Sequence, residues 1–311
     1  MYNGERDLLG CLASIRAALD ALPAAERAAI EVIVCDNWST DASFEIASHA
    51  GLPCRYRVMR PAQHEPNRTR NWRAGFAEAS AEWMMMLHAD DLLAQSGFDA
   101  LLRAIDRPEA RRAAIITGRH RTFEDPARPS GLHPRWTATS LMPGKAIGRT
   151  VLTLHCPFVP FVLMRRAAYQ SVGGLDERWE LVQDWALWMR LARVGDVLFV
   201  PEEIGWWRLH ATSPKYREVN AREHVALAAE LPELVGRLPK EWHARARQVA
   251  LARAAVQLDG VDADPSAWLG RDRLPPVAKA NAVLERTYRV VSALQLMLRA
   301  TGVVRRVARQ Y

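Results

Sequence analysis

Apolar positions recur at helical spacing through residues 5–22, ERDLLGCLASIRAALDAL, and a mostly apolar run, IEVIVCD, follows at 30–36. The first pattern predicts a helix and the second a strand. DNWSTDASFEIASHAG follows as a polar turn, a helix and a glycine stop. A strand is predicted near CRYRVMR, a helix near RTRNWRAGFAEAS, and a strand buried on both faces from Met84 to Leu87, within MMMLHADDLL. Helix and strand alternate, which argues for an α/β fold with a mixed, mostly parallel sheet flanked by helices. Ligands of such sheets sit at the carboxyl ends of strands. Asp36 and the adjacent pair Asp90 and Asp91 occupy such ends and are expected to converge on one cleft.

From about 119 to 144 the chain turns polar and irregular, with prolines and glycines that prevent a long helix. A loop of that length is uncommon unless it is functional. CPFVPFVLMRRAAY restores apolar character, GGLDERW makes a turn, and LVQDWALWMRLARVG predicts an amphipathic helix with Asp184 in its first turn. Beyond WWRLHATSPKY the pattern is helical only. The chain therefore divides into an α/β domain, 1–215, and a helical region, 216–311, with no internal repeat.

Composition narrows the class. Across 311 residues, 49% are hydrophobic, enough for a sizeable core, and 42 basic against 35 acidic residues leave a net charge of +7. That modest excess favours phosphates or acidic lipid without singling out nucleic acid, for which no binding motif is present. Cys11, Cys35, Cys54 and Cys156 lack C-x-x-C spacing and are expected to be reduced, as in a cytoplasmic protein. There is no signal peptide, and no apolar run approaches the roughly 20 residues that span a bilayer. A soluble or peripherally attached protein is expected.

YNGERDLLGCLASI, VIVCDNWSTDAS, RTRNWRAG, LHADDLL, GGLDERWELVQDWALWMRLA and WWRLH occur in the order and approximate spacing of the inverting family 2 glycosyltransferases, which have a GT-A fold. The resemblance covers roughly residues 2–215. It implies transfer of a sugar from a nucleotide-diphosphate sugar, a UDP-sugar first, to a hydroxyl of a glycan or lipid-linked acceptor in cell-envelope synthesis. It also implies a nucleotide site. Tyr2 would pack on the base, Asp36 would accept from the base or ribose, and Arg70 would approach the base or diphosphate. Asn3, Glu5, Ala89 and Arg208 complete that site. His88, Ala89 and Asp90 fall on the family's D-x-D motif, with Asp91 following, so the metal ligands implied are Asp90 and Asp91 and the ion Mg2+ or Mn2+. His88 replaces the first carboxylate and is assigned to the ribose or a ligand water. Asp184 matches the catalytic base, which takes the acceptor hydroxyl's proton as the new bond forms. The plain alternatives are a helix cap for Asp90 or Asp91 and a dipole-favoured first-turn aspartate for Asp184.

The resemblance leaves three expectations open to test. Family members carry an apolar strand ahead of the Tyr-Asn motif, whereas here Met1 stands directly on Tyr2. The recorded start is then expected to be internal to a longer reading frame, with unpaired backbone beside the nucleotide pocket; an intact mass matching residues 1–311 would contradict this. Trp206, Trp207, Arg208 and His210 resemble the segment that closes over the diphosphate, while Trp185 and Trp188 are expected in the core. Finally, Lys279, Arg286, Arg289, Arg299, Arg305, Arg306 and Arg309 face the single acid Glu285, which suits either a helix on an anionic membrane face or one packed on the catalytic domain. A non-catalytic nucleotide-sugar-binding or scaffold protein is the rival function, favoured by His88 and the missing strand.

Overall fold

The computed structural model describes residues 1–158, 161–300 and 305–306, with side chains as far as 294. The first half alternates as the pattern predicts: α1 (Glu5–Asp20), α2 (Ala24–Ala28), β1 (Glu31–Cys35), α3 (Ser43–His49), β2 (Arg55–Met59), α4 (Arg68–Ala77) and β3 (Trp83–Met85). A two-residue strand β4 (Leu92–Leu93) and helix α5 (Gly97–Ile105) follow. Then come the long β5 (Ala113–Phe123), β6 (Ser140–Met142), α6 (Gly144–Arg149), α7 (Val151–Leu154), β7 (Leu163–Arg165), α8 (Arg166–Ser171), α9 (Gln183–Val194) and β8 (Asp196–Arg208).

The main sheet runs β3-β7-β5-β8-β6, with β4 also on β8. Its longest pairing, β5 with β8, is parallel, and the short strands around it are antiparallel. β1 and β2 form a separate parallel pair. Ile115, Ile116, Leu198 and Phe199 are fully buried from this central pair, with helices on both faces. Gly144 permits α6 to lie against the end of α9, because a Cβ there would stand 1.9 Å from the Gly195 carbonyl oxygen.

A groove one strand wide separates β1 from β3. At its mouth the Met1 amino group donates to the Cys35 carbonyl at 2.5 Å, and the Asn37 N–H donates to the Met1 carbonyl at 2.7 Å. Those two bonds have the pattern of a parallel bridge, so by alternation the backbone groups of Glu31, Ile33 and Cys35 face the groove. Across it, the bond from Arg166 N–H to the Glu82 carbonyl leaves Trp83 and Met85 facing the same space. Among the described residues only Met1 reaches these edges. The unpaired backbone expected beside the Tyr-Asn motif is thus present, over a cavity of about 690 Å³ floored by apolar side chains such as Trp72, Phe76, Phe98 and Leu101.

Two local readings need correction. Asp90 and Asp91 cap no helix: α5 begins six residues later behind Ser96, because Leu92 and Leu93 are spent pairing with Gly205 and Trp206 of β8. The 119–144 stretch is not loop throughout, since β5 extends through Phe123 and β6 opens at Ser140; the bridge of His120 with His133 ties the segment between them.

The region after β8 holds α10 (Pro214–Ala229), α11 (Leu231–Val235), α12 (Lys240–Gln257), α13 (Ser266–Leu269) and α14 (Val277–Ala300), but it is not helical only. A two-residue strand β9 (Arg305–Arg306) pairs with β6. These helices extend the same core: Leu227, Leu231, Val235, Val249 and Val291 share one buried cluster with Ala186 and Leu187 of α9. On α14, Ala280, Thr287 and Val291 are buried while Lys279, Arg286 and Arg289 are exposed, so its described length packs on the domain with basic residues outward. The side chains of Arg299, Arg305 and Arg306, and Arg309 altogether, lie outside the described residues. No described helix is long and apolar enough to cross a membrane.

Candidate active site

The loops after β1 and before α1 are laced to each other. Asn3 accepts from the Thr40 N–H at 2.9 Å and its own N–H donates to Ser39; Gly4 N–H donates to Ser43 Oγ at 2.8 Å. Glu5 accepts from the Ala42 N–H at 2.9 Å, and its N–H donates to Asp41. Asn3 and Glu5 therefore shape the pocket wall through each other's loops. Asn3 adopts φ 48°, a left-handed conformation that asparagine tolerates. Tyr2 is half exposed at the mouth, its ring 5.0 Å from that of His64.

Asp36 is fully buried and engaged: it accepts from Ser39 Oγ at 2.5 Å and from Arg60 Nε at 2.7 Å. The Arg60 guanidinium lies over the Phe44 ring, 3.8 Å from its centroid. Asp36 thus holds Ser39 and Arg60 at the pocket edge. Arg70 points elsewhere, exposed and paired with Glu177 at 2.8 Å, which holds its pKa above the usual range. Arg68, two residues before it, takes the interior position. It donates twice to the Glu180 carbonyl, at 2.8 and 2.5 Å, and lies over the Trp72 ring. Its positive charge acts on both His88 and Asp184, so it stands between the two ends of the site.

The segment after β3 brings His88, Asp90 and Asp91 together, with one ligand atom from each within 4.8 Å of the others. Ala89 is placed between them, its Cβ against Gly4. Asp90 Oδ2 is hydrogen-bonded to His210 Nε2 at 2.6 Å, and the Asp90 carbonyl accepts from Arg208 Nε at 2.9 Å. Asp91 is almost wholly buried; Oδ1 accepts from the Arg208 N–H at 2.8 Å, while Oδ2 has no hydrogen-bond partner. Burial pushes the Asp91 carboxyl up to about 8, and burial pushes His88 down to about 4. Two carboxylates and a neutral imidazole suit a divalent cation such as Mg2+ or Mn2+, and the buried, unpartnered Asp91 oxygen is the position where such a charge is most needed. His88 fits as a ligand in this geometry as well as a contact to ribose.

Arg208 closes the group from β8. Its guanidinium also reaches Asp7 at 3.3 Å and stacks over Phe123. The neighbouring tryptophans are structural: Trp206 donates to Glu203 at 2.5 Å and Trp207 packs into the core. Trp185 and Trp188 are buried as expected.

Asp184 is the second residue of α9, half-buried, with Oδ1 accepting from the Trp185 N–H at 2.7 Å. Burial raises its pKa, and the Trp185 N–H and Arg68 oppose that shift.

A mixed sheet flanked by helices, with His88, Asp90 and Asp91 gathered beyond the end of β3 and a separate carboxylate, Asp184, in the first turn of a helix, is the arrangement of a GT-A glycosyltransferase fold. The chain belongs to glycosyl transferase family 2, whose model matches residues 1–173. Among solved structures it is similar to S. aureus TarS residues 1–349, at 15% identity and a TM-score of 0.56 over 96% of this chain and 89% of that one. The same protein in complex with UDP-GlcNAc matches at 15% identity and a TM-score of 0.55, over 96% and 90%. None of the curated proteins matches the chain.

Proposed function

We propose that the protein transfers a sugar from a UDP-sugar to a hydroxyl acceptor with inversion, Asp184 acting as the base. The observation that carries this reading is the placement of a half-buried carboxylate with a raised pKa across Arg68 from the His88, Asp90 and Asp91 group. A Mg2+ or Mn2+ ion held there would neutralise the departing diphosphate as a Lewis acid. In this reading the half-exposed Tyr2 would stack on the base, and Arg68 and Arg208 would meet phosphate oxygens. Membership of the family and the exposed basic residues of α14 favour a glycan or lipid-linked acceptor at the inner face of a membrane, in cell-envelope synthesis.

A thermal-shift screen of UDP-, GDP- and dTDP-sugars with and without Mn2+ tests the donor. Stabilisation by UDP-sugars, larger with Mn2+, is expected, and no stabilisation by any of them contradicts the reading.

The metal site should also depend on pH. Because the Asp91 pKa is raised, its proton is held below about 8 and must leave when a cation binds. Mn2+ affinity is therefore expected to climb about tenfold per pH unit from 6 toward 8 and then level off. His88, neutral above about 4, releases no proton in that window. Calorimetric titration of Mn2+ from pH 6 to 9 checks this; a flat profile would mean that Asp91 is not a ligand.

A further inference from the structure

We infer that Glu223, in the helical region beyond the matched family segment, is a positioning residue that sets both the base Asp184 and Arg68; this rests on the transferase reading above. Its carboxylate is buried, and it accepts three backbone N–H bonds: Oε1 from Glu180 at 2.7 Å, Oε2 from Leu181 at 2.7 Å and from Val182 at 3.1 Å. Those three residues lead directly into α9, whose second residue is Asp184, and α9 has no side-chain cap of its own.

The same strap is tied to α4 on its other side. The Glu180 carbonyl receives both bonds from Arg68, Thr69 Oγ1 donates to the Trp179 carbonyl at 3.0 Å, and Asn67 Nδ2 donates to the Glu177 carbonyl at 3.1 Å. One peptide unit therefore links the two functions: its Leu181 N–H is fixed by Glu223 and its Glu180 carbonyl fixes Arg68. A carboxylate that accepts three N–H bonds orients a turn more rigidly than any neutral side chain of its size. Replacing Glu223 by Gln keeps the volume but turns an amide NH2 toward backbone donors, so at least one of the three bonds is lost.

The helical region is thereby part of the catalytic apparatus. Arg178 reinforces the arrangement by bonding Glu230 of the same region at 3.2 Å as well as Asp176.

Burial raises the Asp184 pKa, and the Trp185 N–H of α9 and Arg68 from α4 oppose that shift; the charge of Asp184 in turn raises the pKa of Cys156, from the segment after α7. Arg68 favours the ionised form. If the strap loosens and Arg68 withdraws, the Asp184 pKa rises and the acidic limb of the kcat profile moves to higher pH.

The test follows UDP release from UDP-GlcNAc with water as acceptor, across pH 4 to 9, for the whole chain and for Glu223→Gln. We expect kcat to fall about 10- to 100-fold, KM for the UDP-sugar to rise as Arg68 withdraws from the phosphate oxygens, and the acidic limb to move upward. An unchanged limb overturns the proposal, whether kcat is also unchanged or falls only with the folded fraction. Should Glu223→Gln not fold, Glu223→Asp, which keeps the charge and shortens its reach, carries the same upward movement in smaller measure. Failure of the underlying reading is separate: full activity in Asp184→Asn removes the base, and no release by the wild-type protein removes the transferase.

Discussion

Asp184→Asn is expected to lower the rate of transfer by roughly 10²- to 10⁴-fold, the usual worth of a positioned general base. Asparagine keeps the volume and can still accept from the Trp185 N–H through its amide oxygen, so α9 should retain its first turn. What it cannot do is take a proton. The change leaves Tyr2, His88, Asp90 and Asp91 in place, since the hydrogen bond that Asp184 makes is to its own helix. Stabilisation by UDP with Mn2+ should therefore survive in the variant that has lost turnover. This pairing separates an enzyme from the rival reading, a nucleotide-sugar-binding scaffold, in which the substitution would change nothing measurable.

Asp90→Ala is expected to have the second largest effect, acting on binding before chemistry. Asp90 contributes one carboxylate oxygen to the group with His88 and Asp91, and the same side chain anchors His210. Removing it leaves a buried carboxyl and a neutral imidazole, a poor set for a hard dication. Mn2+ affinity should drop by at least about 100-fold, given that even outer partners of metal ligands are worth about 10- to 100-fold. In a thermal-shift experiment the extra stabilisation that Mn2+ gives to UDP should vanish, while the fold persists, because the Asp90 carbonyl that Arg208 holds is backbone. Unaltered Mn2+-dependent stabilisation would place the ion elsewhere.

The elements of residues 1–110 were mostly legible in the sequence, since each carries its own period and stop. α1, β1, β2 and α4 fall close to the predicted spans, and the turn at DNWSTD holds the loop that fixes Asn3 and Glu5. The misreadings come from tertiary pairing. Leu92 and Leu93 look like the first turn of a helix, but β8 offers them a sheet edge and the helix starts late. β5 and β6 hide in a polar stretch because their partners lie more than fifty residues away in β8.

At the site, the place of the D-x-D-like segment after β3 and of Asp184 in the first turn of α9 was legible in the sequence, whereas the different directions taken by Arg68 and Arg70 were not. Both stand in RTRNWRAG, and residues two apart point to different faces of a helix. Thr69 and Asn71 are buried and the Asn67 side chain caps the helix through the Thr69 and Arg70 N–H groups, an orientation that sends Arg70 to Glu177 and Arg68 inward. Glu223 carried no signal at all: a glutamate in a polar helix, it matters because the fold brings it to three N–H groups some forty residues earlier. Asp36 shows the reverse case. Its position was readable, but its buried bonds to Ser39 and Arg60 emerge only when the loops are assembled.

The central claim is that this chain moves a sugar off a nucleotide, and a ¹H NMR time course tests it most directly. The nucleotide-sugar that stabilises the protein most in the thermal-shift screen is incubated with Mn2+ and the wild-type protein, and the anomeric signals of the released sugar are followed before mutarotation. The expected result is nucleotide release with the inverted anomer appearing first, and none from Asp184→Asn. No nucleotide release by the wild-type protein, or a sugar that first appears with its configuration retained, would contradict the claim as stated.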